Sequence, residues 1–83
     1  MDIRWRRDGS TFYGVATSQA GEVVCRLIVE PLPNGKAWDW AVWRSVELEY
    51  GTAPSALLAM EAAQQTVMRG QLALAYDFEQ IVW

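Results

Sequence analysis

Residues 38–50 read WDWAVWRSVELEY, and the fold turns on how that run is laid down. A β-strand sends successive side chains to opposite faces. On one strand, Trp38, Trp40, Val42, Val46, Leu48 and Tyr50 would form an apolar face, with Arg44 as its misfit. Asp39, Ala41, Trp43, Ser45, Glu47 and Glu49 would form the wet face. The strict alternation predicts a single long strand over residues 37–50 whose even-numbered face is core. Arg44 would then snorkel to an edge or pair with a carboxylate.

Upstream, turn residues divide the chain. Asp8-Gly9-Ser10 separates the extended runs IRWRR and TFYGVAT, and Ser18-Gln19-Ala20-Gly21 is the next break. VVCRLIVE, residues 23–30, is rich in β-branched side chains and reads as a strand. Its alternation puts Val23, Cys25, Leu27 and Val29 on one face, and Val24, Arg26, Ile28 and Glu30 on the other. Pro31-Leu32-Pro33-Asn34-Gly35-Lys36 is a loop, since proline lacks a donor and Asn-Gly favours positive φ.

Downstream, Gly51-Thr52-Ala53-Pro54-Ser55 reads as the break where the period changes from two to about 3.6. A helix is expected to open near Thr52 or Ser55, with Pro54 in its first turn. Ala56, Met60, Ala63 and Val67 lie on one stripe, flanked by Ala59. Small residues there let the helix come close to the sheet while the tryptophans supply the bulk. Beyond Gly70 the stripe continues through Leu74, Phe78 and Ile81. A helix from 54 to 82 would be roughly 43 Å long, against strands of about 17–20 Å. Two arrangements would cover the overhang. Either the helix is continuous and packs on a second copy, or Gly70 ends it and the tail folds back. The favoured state of the tail is helix.

The fold expected is α+β: a three- to four-stranded antiparallel β-meander with a C-terminal helix on one face. An additional N-terminal strand, residues 3–7, is left open. The chain of 83 residues makes one domain, 1–83. The hydrophobic share of 52% and the five tryptophans are rich for this size, which points to a homodimer or another protein partner.

Net charge −3 and no histidine weigh against nucleic acid and against the commonest acid–base and metal chemistry. Cys25 is the single cysteine, and on the inward parity of its strand it reads as a small core residue suited to a reducing cytoplasm. The first ten residues lack the apolar stretch of a secretory signal, and no run approaches the ~20 apolar residues of a membrane span. No catalytic residue, cofactor or metal is expected. Glu47 and Glu49 share a strand face, but a solvated face accounts for them.

In outline, strands followed by a helix resemble small DNA-binding domains that lay a sheet in the major groove. Those present basic residues outward, whereas Glu22, Glu30, Asp39, Glu47 and Glu49 oppose Arg26 here. The leading expectation is a non-enzymatic protein-interaction module. Its candidate contacts are Trp43, Leu74, Phe78, Ile81 and Trp83. Trp43 is either a contact residue or cover for Val24 and Ile28. The alternative is a nucleic-acid-binding regulator using Trp43 with Arg4, Arg6 and Arg7, the candidate contacts for an anionic ligand.

Overall fold

The computed structural model describes the backbone of residues 2–44 and 47–82, and the side chains of 2–44 and 47–69. Five strands are followed by one helix: β1 (Asp2–Asp8), β2 (Thr11–Thr17), β3 (Val23–Pro31), β4 (Trp38–Arg44), β5 (Glu47–Ala53) and α1 (Ala56–Val82). All neighbours are antiparallel, and the sheet order is β1-β2-β3-β4-β5, an uninterrupted meander. The class is α+β, with five strands where three to four were expected. The run Ile3 to Arg7 is part of edge strand β1.

Local chemistry sets the connections. Asp8 pairs with Thr11, so Gly9 and Ser10 form a two-residue turn, with Gly9 at φ 63°. That geometry suits a residue without a side chain. In the β3–β4 loop, Gly35 N–H donates to the Leu32 carbonyl (2.9 Å) and Lys36 N–H to Asn34 Oδ1 (2.9 Å).

The expected single strand over residues 37–50 is two strands. Arg44 pairs directly with Glu47, and Trp43 with Leu48. Ser45 and Val46, the latter assigned to the core face above, lie outside the described residues. Because an even residue now faces an odd one across the ladder, the face assignment inverts between the two strands. Trp38, Trp40 and Val42 stay on the helix side. Leu48 and Tyr50 do not belong to the core: they lie on the opposite face, 60% and 76% exposed. Glu47 and Glu49 turn to the helix side instead, where Glu47 Oε2 meets the half-buried Arg44 Nε at 3.6 Å. Gly51-Thr52-Ala53, read as a break, completes β5.

A second correction concerns Val23. The register slips between Ala16 and Thr17, so Ala16 pairs with Cys25 but Thr17 with Val23. This β-bulge takes Val23 out of the core, leaving it 50% exposed.

The helix opens at Ser55. Its Oγ accepts from Leu58 N–H (3.2 Å), and its carbonyl accepts from Ala59 N–H (3.0 Å). Ser55 is thus the N-cap. Pro54 precedes the N-cap and lies outside the helix, not in its first turn. Ala59, Ala63, Thr66 and Val67 are buried at i, i+4, i+7 and i+8 spacing, while Ala56 and Met60 are half-buried. Across from them, Ala16, Cys25, Leu27 and Val42 complete the buried cluster, with Ile3, Trp5 and Trp40 packed at its margin. The backbone is helical through Gly70 as far as Val82. The side chains of Leu74, Phe78 and Ile81, and all of Trp83, lie outside the described residues.

Candidate functional site

Helix α1 packs on one face of the sheet, against β3, β4 and β5, and among the described residues no element lies on the other. The pairing register places residues on that open face in rows. One row runs Arg6, Tyr13, Ile28, Ala41, Tyr50 across all five strands. The next runs Arg4, Val15, Arg26, Trp43, Leu48. On the other side of the Tyr13 row come Asp8, Glu30 and Asp39, two residues further along their strands. Successive rows are ~7 Å apart along the strands.

The face is apolar in its middle. Tyr13 is 38% exposed, Trp43 37%, Leu48 60% and Tyr50 76%. A cluster of aromatic and aliphatic side chains this open is unusual for a small domain. Between the arginines and Trp43 lies a groove of about 450 Å³, floored by Gly14 and Val15 and walled by Arg4, Arg6, Tyr13 and Arg26. A second depression of about 280 Å³ lies between Glu30, Asp39, Leu48 and Tyr50.

Charge on this face is segregated. Arg4 and Arg26 occupy one outer row, Asp8, Glu30 and Asp39 the other, and Arg6 stands at the β1 end of the row between them. Arg4 Nε contacts Asp2 Oδ2 at 2.9 Å, both largely exposed, an ion pair worth little in water. Glu30 stands directly opposite Asp39 across the β3–β4 ladder. Like charges so placed destabilise a sheet. Among the described residues neither carboxylate is in an ion pair, and neither is Arg26.

The three N-terminal arginines do not form one cluster. Arg4 and Arg6 point to the open face, Arg6 lying 5.8 Å from the Tyr13 ring centroid. Arg7 has the opposite parity. It sits 5.8 Å from the Phe12 ring centroid and donates from Nε to the Gly9 carbonyl (2.9 Å). Trp43 is on the open face, between Arg26 and Leu48. Tyr13, Arg26, Leu48 and Tyr50 went unrecognised from sequence as site residues. A 14-residue strand would be ~46 Å long, well beyond ordinary strand lengths, and that excess was the available signal for the β4–β5 division.

Cys25 is buried, and burial pushes its thiol above the ordinary value of 9.0, with the nearby Arg44 guanidinium pulling the other way. A thiol held protonated is a poor nucleophile. Among the described residues no three potential metal ligands gather, and no helix is long and apolar enough to cross a membrane. No family model, curated protein or solved structure matches the chain.

Proposed function

We propose that this chain is a non-enzymatic protein-interaction module whose working surface is the open sheet face. The observation that carries the reading is the row of Tyr13, Ile28, Ala41 and Tyr50, flanked by Trp43 and Leu48, with no element of the described residues over it. Large apolar faces of this kind are stable in water when a partner covers them. Aromatic side chains supply contact area at low entropic cost, and the flanking charges set orientation. A cytoplasmic homodimer is the form proposed, consistent with the single reduced cysteine.

Photo-crosslinking tests this. A benzophenone amino acid in place of Leu48, on the open face, should give a discrete adduct with a polypeptide in cells. The same group in place of Leu57, which is 66% exposed on the helix, should not. Equal yields from both positions, or none from either, would remove the reading.

A second reading has its own support: Arg4, Arg6 and Arg26 surround the groove beside Tyr13 and Trp43, a combination suited to stacked bases and phosphates. The carboxylates of Asp8, Glu30 and Asp39 on the same face oppose it. Oligonucleotide titration at low salt distinguishes the two. Binding that weakens on Arg4→Ala or Arg26→Ala would favour a nucleic-acid-binding regulator.

A further inference from the structure

The two outer rows of the open face carry opposite charge, Arg4 and Arg26 in one and Asp8, Glu30 and Asp39 in the other. Consider a two-fold axis lying along the row Arg6, Tyr13, Ile28, Ala41, Tyr50, perpendicular to the strands. Rotation about it lays a second copy face down on the first and exchanges the rows on either side. The row containing Arg4 and Arg26 then faces the row containing Asp8, Glu30 and Asp39. Because the exchange preserves the strand, Arg26 on β3 comes over Glu30 on β3 of the other copy. Arg4 on β1 comes over Asp8 on β1. Trp43 on β4 comes over Asp39 on β4. The central row meets itself, so Tyr13, Ile28 and Tyr50 pack on the axis, and Arg6 at its β1 end faces Arg6 of the other copy, a like-charge contact at the rim of this register. Arg4 and Arg26 of each copy meet Asp8 and Glu30 of the other, and the apolar part of the central row is sealed between them.

We infer that the occupant of this face is a second copy of the chain, bound face to face across that axis. The inference rests on the docking-surface reading above and names its partner. The Glu30–Asp39 pair is its strongest motive. Two carboxylates opposite each other with no cation are unfavourable in the single chain, and Arg26 of the second copy brings the missing charge. Isologous contact requires that a patch complement itself, a condition most charged patches fail. The area is adequate. Five strands spaced ~4.8 Å apart and ~23 Å long present roughly 500 Å² each in projection, so two faces cover on the order of 1,000 Å². That is the lower end of specific interfaces, suited to a reversible dimer. Aligned sheet packing at about −30° accommodates the twist.

Charge exchange tests the register. Sedimentation equilibrium of the full chain should show a dimer that weakens as salt is raised. Arg26→Glu should weaken it at least about tenfold, because both symmetric contacts become repulsive. Glu30→Arg alone should do the same. Mixed in equal amounts, the two variants should associate with each other far better than either with itself, since each carries the charge the other needs. Glu61→Lys, on the exposed side of the helix, should leave association unchanged.

A monomer at the highest accessible concentration, or a dimer indifferent to Arg26→Glu, would overturn the inference. So would variants that fail to associate on mixing while circular dichroism shows both folded. The crosslink from position 48 separates the two levels. An adduct of twice the chain mass supports the second copy. An adduct with a different polypeptide leaves a docking surface but overturns this occupant. No adduct overturns both.

Discussion

The indole of Trp40 lies over Gly51, its cross-strand partner on β5, so closely that a Cβ there would stand 2.8 Å from Trp40 Cζ2. Gly14 has the same relationship to Trp5 across the β1–β2 ladder, with ring carbons at 3.0 Å and Leu27 Cβ at 3.2 Å. Both rings lie on the helix side and flatten against a strand where the partner residue has no side chain. This is how a domain of this size keeps two indoles beside its core without lifting the helix from the sheet.

Gly51→Ala is therefore expected to destabilise by about 1–3 kcal/mol, the usual cost of forcing an added methyl into packed structure. For a domain this small, each kcal/mol lowers Tm by about 4–8 °C. The same change in a Trp40→Leu background should cost clearly less. Thermal unfolding of the four chains of that cycle measures the coupling, and equal costs in both backgrounds would contradict the stacking.

The assignment of faces is open to direct test. Leu27→Ala should cost about 2–5 kcal/mol, as expected for a fully buried leucine. Leu48→Ala, measured at concentrations too low for association, should stay within about 0.5 kcal/mol. Urea denaturation of both settles it, and a large loss at Leu48 would restore the single long strand.

Ser55→Ala removes the side-chain acceptor of Leu58 N–H and should cost about 1 kcal/mol. Ser55→Asp keeps an acceptor at the helix N-terminus and should retain most of that stability. Chemical denaturation of the two variants gives the comparison. An Ala variant as stable as the parent would show that the cap contributes nothing.

Cys25 links stability to alkaline pH. Its thiol titrates higher in the folded chain than in the unfolded one. The folded state therefore holds the proton where the unfolded state has begun to lose it. The stabilisation is fully present below the unfolded value and is lost as pH rises through the folded one. Unfolding free energy should fall above pH ~9, and Cys25→Ala should flatten that limb. Reaction with a thiol reagent should follow global unfolding, so prompt labelling of the native chain would contradict the burial.

Much of the architecture was legible because it rests on local chemistry. Gly9 and Gly35 mark their turns through positive φ, Ser55 announces the helix, and the small residues Ala59 and Ala63 reveal which side of α1 meets the sheet. Thr66 was not placed in the core. Its hydroxyl is satisfied within the helix, donating to the Ala62 carbonyl at 2.9 Å and accepting from Arg69 at 3.3 Å. A hydroxyl with a local partner is cheap to bury, and polarity alone does not reveal that. The interaction surface was the least legible part, because its residues come from five strands and are neighbours only through register.

The α+β class, the turns at Gly9 and Gly35, the helix phase and the inward placement of Trp40, Val42, Cys25 and Leu27 follow from the sequence by itself, since periodicity and turn chemistry act within a few residues. Which face receives Leu48, Tyr50, Glu47 and Glu49 was decided by tertiary structure. Alternation reports that two faces differ but not where the chain reverses, and pairing Arg44 with Glu47 exchanges the faces of everything after it. That reversal sends two carboxylates to the helix side and leaves Arg4 and Arg26 in the row opposite Asp8, Glu30 and Asp39, around an open apolar strip.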